Sequence, residues 1–425
     1  MRINGILKQL IALEGEAFVS EVYRQLLDRE PDPDGLAHHT ELLAGGMSKM
    51  TLVAKILQSP ECSDRNRLDD LAPPNKSLAS TINWVHQSGT GSCTLFEWHA
   101  YDQPVEPKTT SAEIHQNFRI PIDWPQFVGV VPRGRVVGHH GSVITPDGEL
   151  LWDVCADYSN HTPELHPVMS IPKLPPMTYR RETIASVSIP WHANYYHWMF
   201  DVLPRFELIR RSGIRVDSYL ISSDPSVAFQ QETLNALGIP RSGLIQCGPD
   251  THIKADKLVV TSMPGFAGKP PLWACLFLRQ KLMLDRHVHP APGRSKLYIS
   301  RAGSTSRRIR NEPQLAAVLQ AYGFQVIQLE KLSVSDQARL FASADVIVSP
   351  HGASLTNLVF CSPGTKVIEL FSPIAILSLY WHISCSMRLD YYYLIGTAVH
   401  GQHGADYDID LNEVQVLLNR AGCHV

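Results

Sequence analysis

The segment 191–205 carries the side chains best suited to proton transfer. His197 and Asp201 are four residues apart, so on a helix that starts near Tyr195 they lie one turn apart on the same face. Such a pair can share a proton, or can act as a general base and the group that orients it. Either residue fits the role of base, with a slight preference for Asp201. A buried histidine that bonds a helix carboxylate explains the same spacing without catalysis.

A second segment, 345–357, has the pattern of a buried strand, a sharp turn and a helix that begins with small residues. Gly352 lets the backbone approach a ligand, and the free N–H groups of the next turn are suited to a phosphate. Any α/β protein can also carry a strand, turn and helix without a ligand there. The hydrogen-bonding side chains of this segment are His351, Ser354, Thr356 and Asn357.

A basic stretch precedes that segment and supports a phosphate site. Arg301 directly follows the predicted strand 297–300, where a guanidinium could clamp a diphosphate and stabilise the charge it gains on leaving. We expect at least half of the basic residues to form only a solvated surface. Glu369 ends the last predicted core strand, where it could hold ribose hydroxyls or be a plain surface residue. The basic residues are Arg294, Lys296, Arg301, Arg307, Arg308 and Arg310.

The elements that must position these residues alternate between strands and helices. Two such series are separated near 287–294 by a stretch with prolines and a glycine. Alternation predicts parallel sheets that are covered on both faces and that bind ligands beyond the carboxyl ends of their strands. The sequence therefore predicts an α/β fold with two Rossmann-like lobes facing a cleft, together with a small all-α N-terminal domain.

We predict five parts in the chain. They are a helical domain at 1–65, a linker and insert at 66–109, an N-terminal lobe at 110–288, a C-terminal lobe at 289–400 and a C-terminal helix in 401–425.

The N-terminal helices enclose a turn that must be tested for calcium binding. Glu30, Asp32, Asp34, Gly35 and Glu41 have the spacing of an EF-hand loop. Two prolines within the stretch stiffen a loop that must wrap around an ion. A tight turn between two helices is therefore the preferred interpretation.

Composition excludes several classes of protein. The 425-residue chain is 44% hydrophobic with a formal net charge of −3, which argues against general nucleic-acid binding. Its eight cysteines form no C-x-x-C pair, so they are typical of reduced cysteines in a cytosolic protein. No signal peptide and no apolar run long enough to span a membrane are evident. We predict a cytoplasmic location and leave open an association with the inner face of the membrane.

Taken together, the two segments resemble glycosyltransferase family 61, which includes bacterial capsular-polysaccharide enzymes and eukaryotic xylosyl- and N-acetylglucosaminyltransferases. The similarity extends over roughly residues 110–400. The residues that carry it are 194–205, 298–301, Arg308, Asn311, Glu312 and 350–357.

This resemblance implies a GT-B fold and inversion at the anomeric carbon. It also implies a nucleotide-sugar donor that is held mainly by the C-terminal lobe, and we predict that this donor is UDP-linked. No metal ion or other cofactor is expected. The resemblance implies catalytic roles for His197 and Asp201, and acceptor-binding roles are predicted for Asn194, Tyr195 and Arg205. The donor-site candidates are Arg301, Arg308, His351, Gly352, Ala353, Ser354, Asn357 and Glu369.

The predicted partners are thus a nucleotide-sugar and a saccharide acceptor, in bacterial polysaccharide or glycoconjugate assembly. Residues 18–36 resemble a DUF4214-type helical domain, which suggests a docking or self-association module within 14–65. Two alternatives remain. One is a non-catalytic scaffold that binds nucleotide-sugars. The other is a metal-dependent hydrolase that uses His197, Asp201 and His351.

Overall fold

The structure is a computed structural model of the chain. It describes residues 11–27, 29–63, 72–97, 106–111, 125–155, 162–265, 269–291, 295–304, 306–398 and 406–424. The described chain is a mixed α/β structure with two large sheets. The predicted α/β class is therefore confirmed.

The N-terminal part of the chain is helical and has its own buried cluster. Phe18, Val22 and Leu26 are all buried in it, as the i, i+4, i+8 pattern predicts. Asp32 accepts a hydrogen bond from Gly35 N at 2.8 Å and caps the second helix. Glu41 lies inside that helix, so the stretch is an inter-helix turn and not an EF-hand loop. The helices are Gly15–Leu27, Pro33–Ala44, Lys49–Leu57 and Pro60–Ser63.

The first sheet is mixed, which differs from the parallel sheet that alternation predicts. Strand His252–Thr261 pairs in parallel with Thr178–Ser186 and antiparallel with Gln126–Pro132. Short turns join Arg135–Val137 to Ser142–Ile144 and Ser142–Ile144 to Glu149–Leu151, which pair antiparallel, whereas parallel neighbours need long crossovers. The strands are Lys76–Leu78, Ser92–Phe96, Gln126–Pro132, Arg135–Val137, Ser142–Ile144, Glu149–Leu151, Thr178–Ser186, Ser218–Ile221, Leu244–Gln246 and His252–Thr261.

The second sheet is parallel throughout its described strands. Strand Ser295–Ile299 lies between Phe324–Ile327 and Ala344–Pro350, so the chain order reverses beside it. Open parallel sheets bind ligands at such a reversal, beyond the carboxyl ends of the two strands. The strands, in spatial order, are Phe324–Ile327, Ser295–Ile299, Ala344–Pro350, Lys366–Phe371, Asp390–Ile395 and Lys108–Thr109.

Helices cover the sheets. The helix predicted after the turn at Gly352 is a 3₁₀ helix, Ala353–Phe360. Helix Leu272–Arg279 continues as a π-helical turn over Gln280–Leu284. The remaining helices are Thr81–Ser88, Tyr195–His197, Leu203–Ser212, Ala228–Ala236, Glu312–Ala321, Val334–Ser343, Leu379–Met387 and Leu411–Arg420.

One buried hydrophobic cluster contains residues of both sheets. Val128 and Ala185 of the first sheet belong to it together with Leu297 and Ile347 of the second. The segment 66–109, expected as linker and insert, contributes strands to both sheets. Within the described ranges, no helix has the length and apolar character needed to cross a membrane.

Candidate active site

The helix after Asn194 carries the first candidate pair. The Asn194 side chain accepts a hydrogen bond from Tyr196 N at 2.9 Å and so caps the helix. A π-helical turn at Trp198–Val202 then connects Tyr195–His197 to Leu203–Ser212. Such π turns widen a helix locally and recur at functional sites. Asn194 is therefore occupied as a cap, which differs from its predicted contact with an acceptor.

His197 and Asp201 form the predicted pair. His197 Nδ1 and Asp201 Oδ2 are 2.7 Å apart, and the His197 side chain is 25% exposed while that of Asp201 is 4% exposed. With an ionised carboxylate, the Nδ1–H donates to Asp201, so Nε2 is the nitrogen on the opposite side of the ring. His197 is thus the more exposed member of the pair, and the buried Asp201 carboxylate holds its ring through Nδ1.

An exposed tryptophan lies beside this pair. The Trp191 ring centroid is 6.4 Å from that of His197, and the residue is 41% exposed. Its turn is closed by a hydrogen bond from Asn194 N to Trp191 O at 2.9 Å. Trp191 had no predicted role, because the exposure of a side chain cannot be read from its residue type.

The second candidate group lies at the reversal point of the second sheet. Arg301 follows strand Ser295–Ile299, as predicted, and His351 follows Ala344–Pro350. The Arg301 guanidinium donates from Nη1 to the His351 carbonyl oxygen and from Nη2 to Ser304 Oγ at 2.9 Å. A Cβ atom on Gly352 would lie 2.2 Å from Arg301 Nη1. The missing side chain of Gly352 thus permits the close approach of the guanidinium.

Glu312 holds the end of this strand. It is one of the residues that carry the family resemblance, but no role was predicted for it. Glu312 Oε1 accepts hydrogen bonds from Tyr298 Oη at 2.9 Å, Ser300 Oγ at 2.8 Å and Arg301 N at 3.2 Å. Because these donors lie at and just beyond the end of the strand, Glu312 fixes the direction in which Arg301 leaves the sheet.

Glu369 corrects one prediction. It lies within strand Lys366–Phe371 rather than at its end, and it is fully buried. One of its oxygens contacts His351 Nδ1, and the other accepts from Tyr391 Oη. A carboxylate with both oxygens engaged inside the core does not hold ribose hydroxyls; here it orients the His351 ring.

Arg308 and Arg205 also differ from their predicted roles. The Arg308 guanidinium donates to Asp406 Oδ2 at 3.0 and 2.8 Å, so its charge is already paired with a carboxylate of the protein. Arg205 is 1% exposed and donates to Thr261 Oγ1 at 2.7 Å and to the Ser188 carbonyl at 3.2 Å. It anchors its helix to the first sheet instead of reaching an acceptor.

Two further candidates bind each other. Tyr195 Oη donates to Asn357 Oδ1 at 2.9 Å, and Asn357 Nδ2 donates to Gln337 Oε1 at 2.8 Å. Asn357 is fully buried. These side chains therefore join the helix of His197 to the 3₁₀ helix that follows His351. Of that second helix, Ala353 and Ser354 remain partly exposed.

A chain of aromatic contacts makes the same connection. The Tyr196 ring lies 5.6 Å from that of His197 and 5.8 Å from that of Tyr380. Tyr380 in turn lies 5.2 Å from the His351 ring. The structure thus brings together the two segments that sequence analysis considered separately. Tyr380 was missed because its helix, Leu379–Met387, had no recognised signal.

These features define an α/β protein with a histidine–carboxylate pair next to a site suited to phosphate. The comparisons agree with this class. Residues 195–368 match the Glycosyltransferase 61 family, and residues 8–66 match the domain of unknown function DUF4214. The segment 195–368 is therefore a glycosyltransferase 61 domain, preceded in the chain by a DUF4214 domain, as predicted.

Several known enzymes are similar to parts of the chain. A protein O-linked-mannose beta-1,4-N-acetylglucosaminyltransferase 2 of Bos taurus is 36% identical over 99 residues, which are 22% of this chain and 17% of that protein. An EGF domain-specific O-linked N-acetylglucosamine transferase of Drosophila melanogaster is 32% identical over 78 residues, 18% and 15% of the two chains. A beta-1,2-xylosyltransferase of Oryza sativa is 26% identical over 130 residues, 29% and 24%. The matched stretches span less than a quarter of these relatives.

Proposed function

We propose that the chain is an inverting, metal-independent glycosyltransferase that moves a sugar from a nucleotide-sugar to a saccharide or glycoconjugate acceptor. The observation that carries the proposal is the connection between the His197–Asp201 pair and the Arg301–His351 group through Tyr196 and Tyr380. Transfer from a nucleotide-sugar needs a base for the acceptor and a positive site for the departing diphosphate. The His197–Asp201 pair and Arg301 are our candidates for these two groups, and the pair is linked to the His351 turn by one set of aromatic residues.

The proposed fold follows from the two sheets. In a GT-B arrangement the first sheet and the helix of His197 form the acceptor lobe, and the second sheet forms the donor lobe. The reversal point between strands Ser295–Ile299 and Ala344–Pro350 supports a nucleotide site on the second sheet.

In the proposed reaction His197 is the base. Its ring is more exposed than Asp201, whose carboxylate orients it through Nδ1. As His197 Nε2 takes the proton of the acceptor hydroxyl, that oxygen bonds to the anomeric carbon from the face opposite the leaving group. The bond between the anomeric carbon and the diphosphate oxygen breaks at the same time, and the configuration inverts. This assignment reverses the slight preference for Asp201 that sequence alone gave.

The leaving diphosphate is stabilised in the donor lobe. Arg301 supplies a charge that is permanent at neutral pH, and the first N–H groups of the 3₁₀ helix Ala353–Phe360 lie directly after His351. On the acceptor side, Trp191 offers an exposed ring face beside His197 to the apolar face of a sugar. It replaces Asn194, Tyr195 and Arg205 as the acceptor-binding candidate.

The experiment supplies the purified chain with UDP-N-acetylglucosamine, UDP-xylose and GDP-mannose together with a panel of saccharide acceptors. We expect acceptor-dependent release of one nucleoside diphosphate that persists in EDTA, with an inverted anomeric configuration by NMR. Binding of a nucleoside diphosphate without release would support the scaffold alternative. Acceptor-independent hydrolysis that EDTA abolishes would support the metal-dependent hydrolase. A cytoplasmic location, a bacterial polysaccharide pathway and a docking role for the DUF4214 domain stay predictions.

A further inference from the structure

Two consecutive arginines of the basic stretch have different surroundings. Arg308 is held on both sides of its backbone, because its N–H donates to Asp406 Oδ1 at 2.8 Å and its carbonyl accepts from Tyr407 N at 3.1 Å. Its guanidinium is paired with the same carboxylate. Asp406 therefore fixes the position of the backbone directly after Arg307.

Arg307 has an unusual backbone conformation for a residue with a side chain. Its φ of 54° lies in the left-handed region, which residues other than glycine adopt rarely and often at ligand sites. On the other side of Arg307 the loop folds back onto Arg301. Arg301 Nη2 donates to Ser304 Oγ at 2.9 Å, and Ser304 Oγ donates to the Ser306 carbonyl at 3.0 Å. Hydrogen bonds thus define the loop before and after the strained residue.

The charge of Arg307 acts on the groups around His351. Burial lowers the pKa of the Arg301 guanidinium, and the nearby positive charge of Arg307 lowers it further. Burial raises the pKa of the Tyr380 hydroxyl, while Arg301 and Arg307 both oppose that rise. Tyr380 is the ring that packs against His351. Because Arg301 bonds Ser304 and Ser304 bonds the carbonyl of Ser306, the residue directly before Arg307, the loop also holds Arg307 close to the proposed diphosphate site.

The half-buried Arg307 side chain has no ion pair with any carboxylate of the described residues. The positive charges of Arg301 and Arg307 repel each other, and a bound anion offsets that repulsion. A diphosphate matches this arrangement because each guanidinium can donate two hydrogen bonds to its oxygens.

We propose that Arg307 binds the diphosphate of the donor together with Arg301, and that Arg308 instead holds the loop through Asp406. The inference rests on the proposed function. It assigns to Arg307 the donor contact that the resemblance placed on Arg308.

Substitution by glycine separates binding from folding at this position. Arg307→Gly removes the guanidinium and accepts the left-handed backbone without strain. We expect isothermal titration of the full chain to show UDP bound about 10- to 100-fold more weakly, in keeping with the loss of charge-assisted hydrogen bonds. The melting temperature should stay equal or rise. Arg307→Lys, which keeps the charge but not the fork, should lose less than about tenfold.

Arg133→Gly is the matched control, because Arg133 also has a left-handed φ, of 58°, in a turn of the first sheet beside Asp256. It should change the melting temperature in the same direction and leave UDP affinity unchanged. Equal UDP affinity of Arg307→Gly and the unmodified chain would overturn this inference alone. If the unmodified chain binds none of UDP, GDP, CDP, ADP and TDP, the proposed donor site fails and this inference fails with it.

Discussion

The hydroxyl of Tyr195 donates a hydrogen bond to Asn357 Oδ1 at 2.9 Å, across 162 residues of sequence. This contact joins the helix of the His197–Asp201 pair to the 3₁₀ helix that follows His351. Both residues were predicted to bind substrates on opposite sides of a cleft. Their hydrogen bond instead makes them part of the framework that holds the two halves of the site in register.

Tyr195→Phe tests this framework. The change leaves the Asn357 carbonyl oxygen buried without its donor, so the free energy of unfolding should fall by about 1–3 kcal/mol. Denaturant unfolding measures it. Tyr219→Phe is the control, because Tyr219 is a half-buried tyrosine of the first sheet for which no side-chain hydrogen bond exists within the described ranges. That variant should stay within about 0.5 kcal/mol of the unmodified chain. Equal losses of unfolding free energy in both variants would show that the hydrogen bond between Tyr195 and Asn357 does not stabilise the framework.

Gly352→Ala tests the approach of Arg301 to the turn after His351. The new Cβ would lie 2.2 Å from Arg301 Nη1 and 3.0 Å from Cζ. Because the guanidinium is the flexible partner and Gly352 has an extended φ of 171°, the arginine should move while the fold persists. We expect UDP affinity to fall about tenfold or more with little change in melting temperature. Gly303→Ala is the control, since its Cβ would meet Glu330 Oε1 only at 3.5 Å; weakened UDP binding there would refute the steric explanation.

Acid should destabilise the chain through His382. Burial lowers the pKa of this histidine to about 3, and the charge of Lys269 contributes. The folded-state pKa lies below the unfolded value of about 6.5, so its contribution to stability is complete above pH 6.5. That contribution is lost as pH falls from about 6.5 towards 3. By pH 4.5 the loss should be on the order of 2 kcal/mol.

Melting temperatures measured between pH 4.5 and 7.5 test this pH dependence. His382→Phe keeps an aromatic ring but removes the titrating group, so its melting temperature should fall less on acidification than that of the unmodified chain. His86→Gln alters an exposed histidine and should leave the acid response unchanged. An unaltered acid response in His382→Phe would show that other groups cause the loss.

Part of this structure could be predicted because the signals are local. Strand Ala344–Pro350, the turn at Gly352 and the position of Arg301 after its strand follow from apolar runs and glycine placement. The pairing of His197 with Asp201 follows from helical spacing alone, and the π turn does not disturb it. Features set by neighbours in sequence were therefore predicted correctly.

The partners of charged residues could not be predicted in the same way. Arg308 meets Asp406 across 98 residues, and Glu369 meets Tyr391 across 22. Arg205 is buried against Thr261, 56 residues further along the chain. Residue type shows that a side chain can bind an anion or a hydroxyl. Only tertiary contacts decide whether a protein group already occupies it.

Some elements gave no periodic signal. Strand Asp390–Ile395 contains three consecutive tyrosines and is buried on both faces, so neither alternation nor helical spacing marks it. Strand Thr178–Ser186 begins with exposed and half-buried residues before it enters the core. Tyr391 lies on strand Asp390–Ile395. Because the sequence did not mark this strand, Tyr391 was absent from the predicted site.

We propose that one site binds the donor diphosphate through Arg301 and activates the acceptor through His197. Two variants test this proposal most directly. For each we measure UDP affinity by isothermal titration and sugar transfer to an acceptor. His197→Ala should keep UDP affinity within about twofold and lower kcat by about 100-fold or more. Arg301→Ala should weaken UDP binding by about tenfold or more and lower transfer as well. Normal transfer by His197→Ala, or normal UDP binding by Arg301→Ala, would contradict the account.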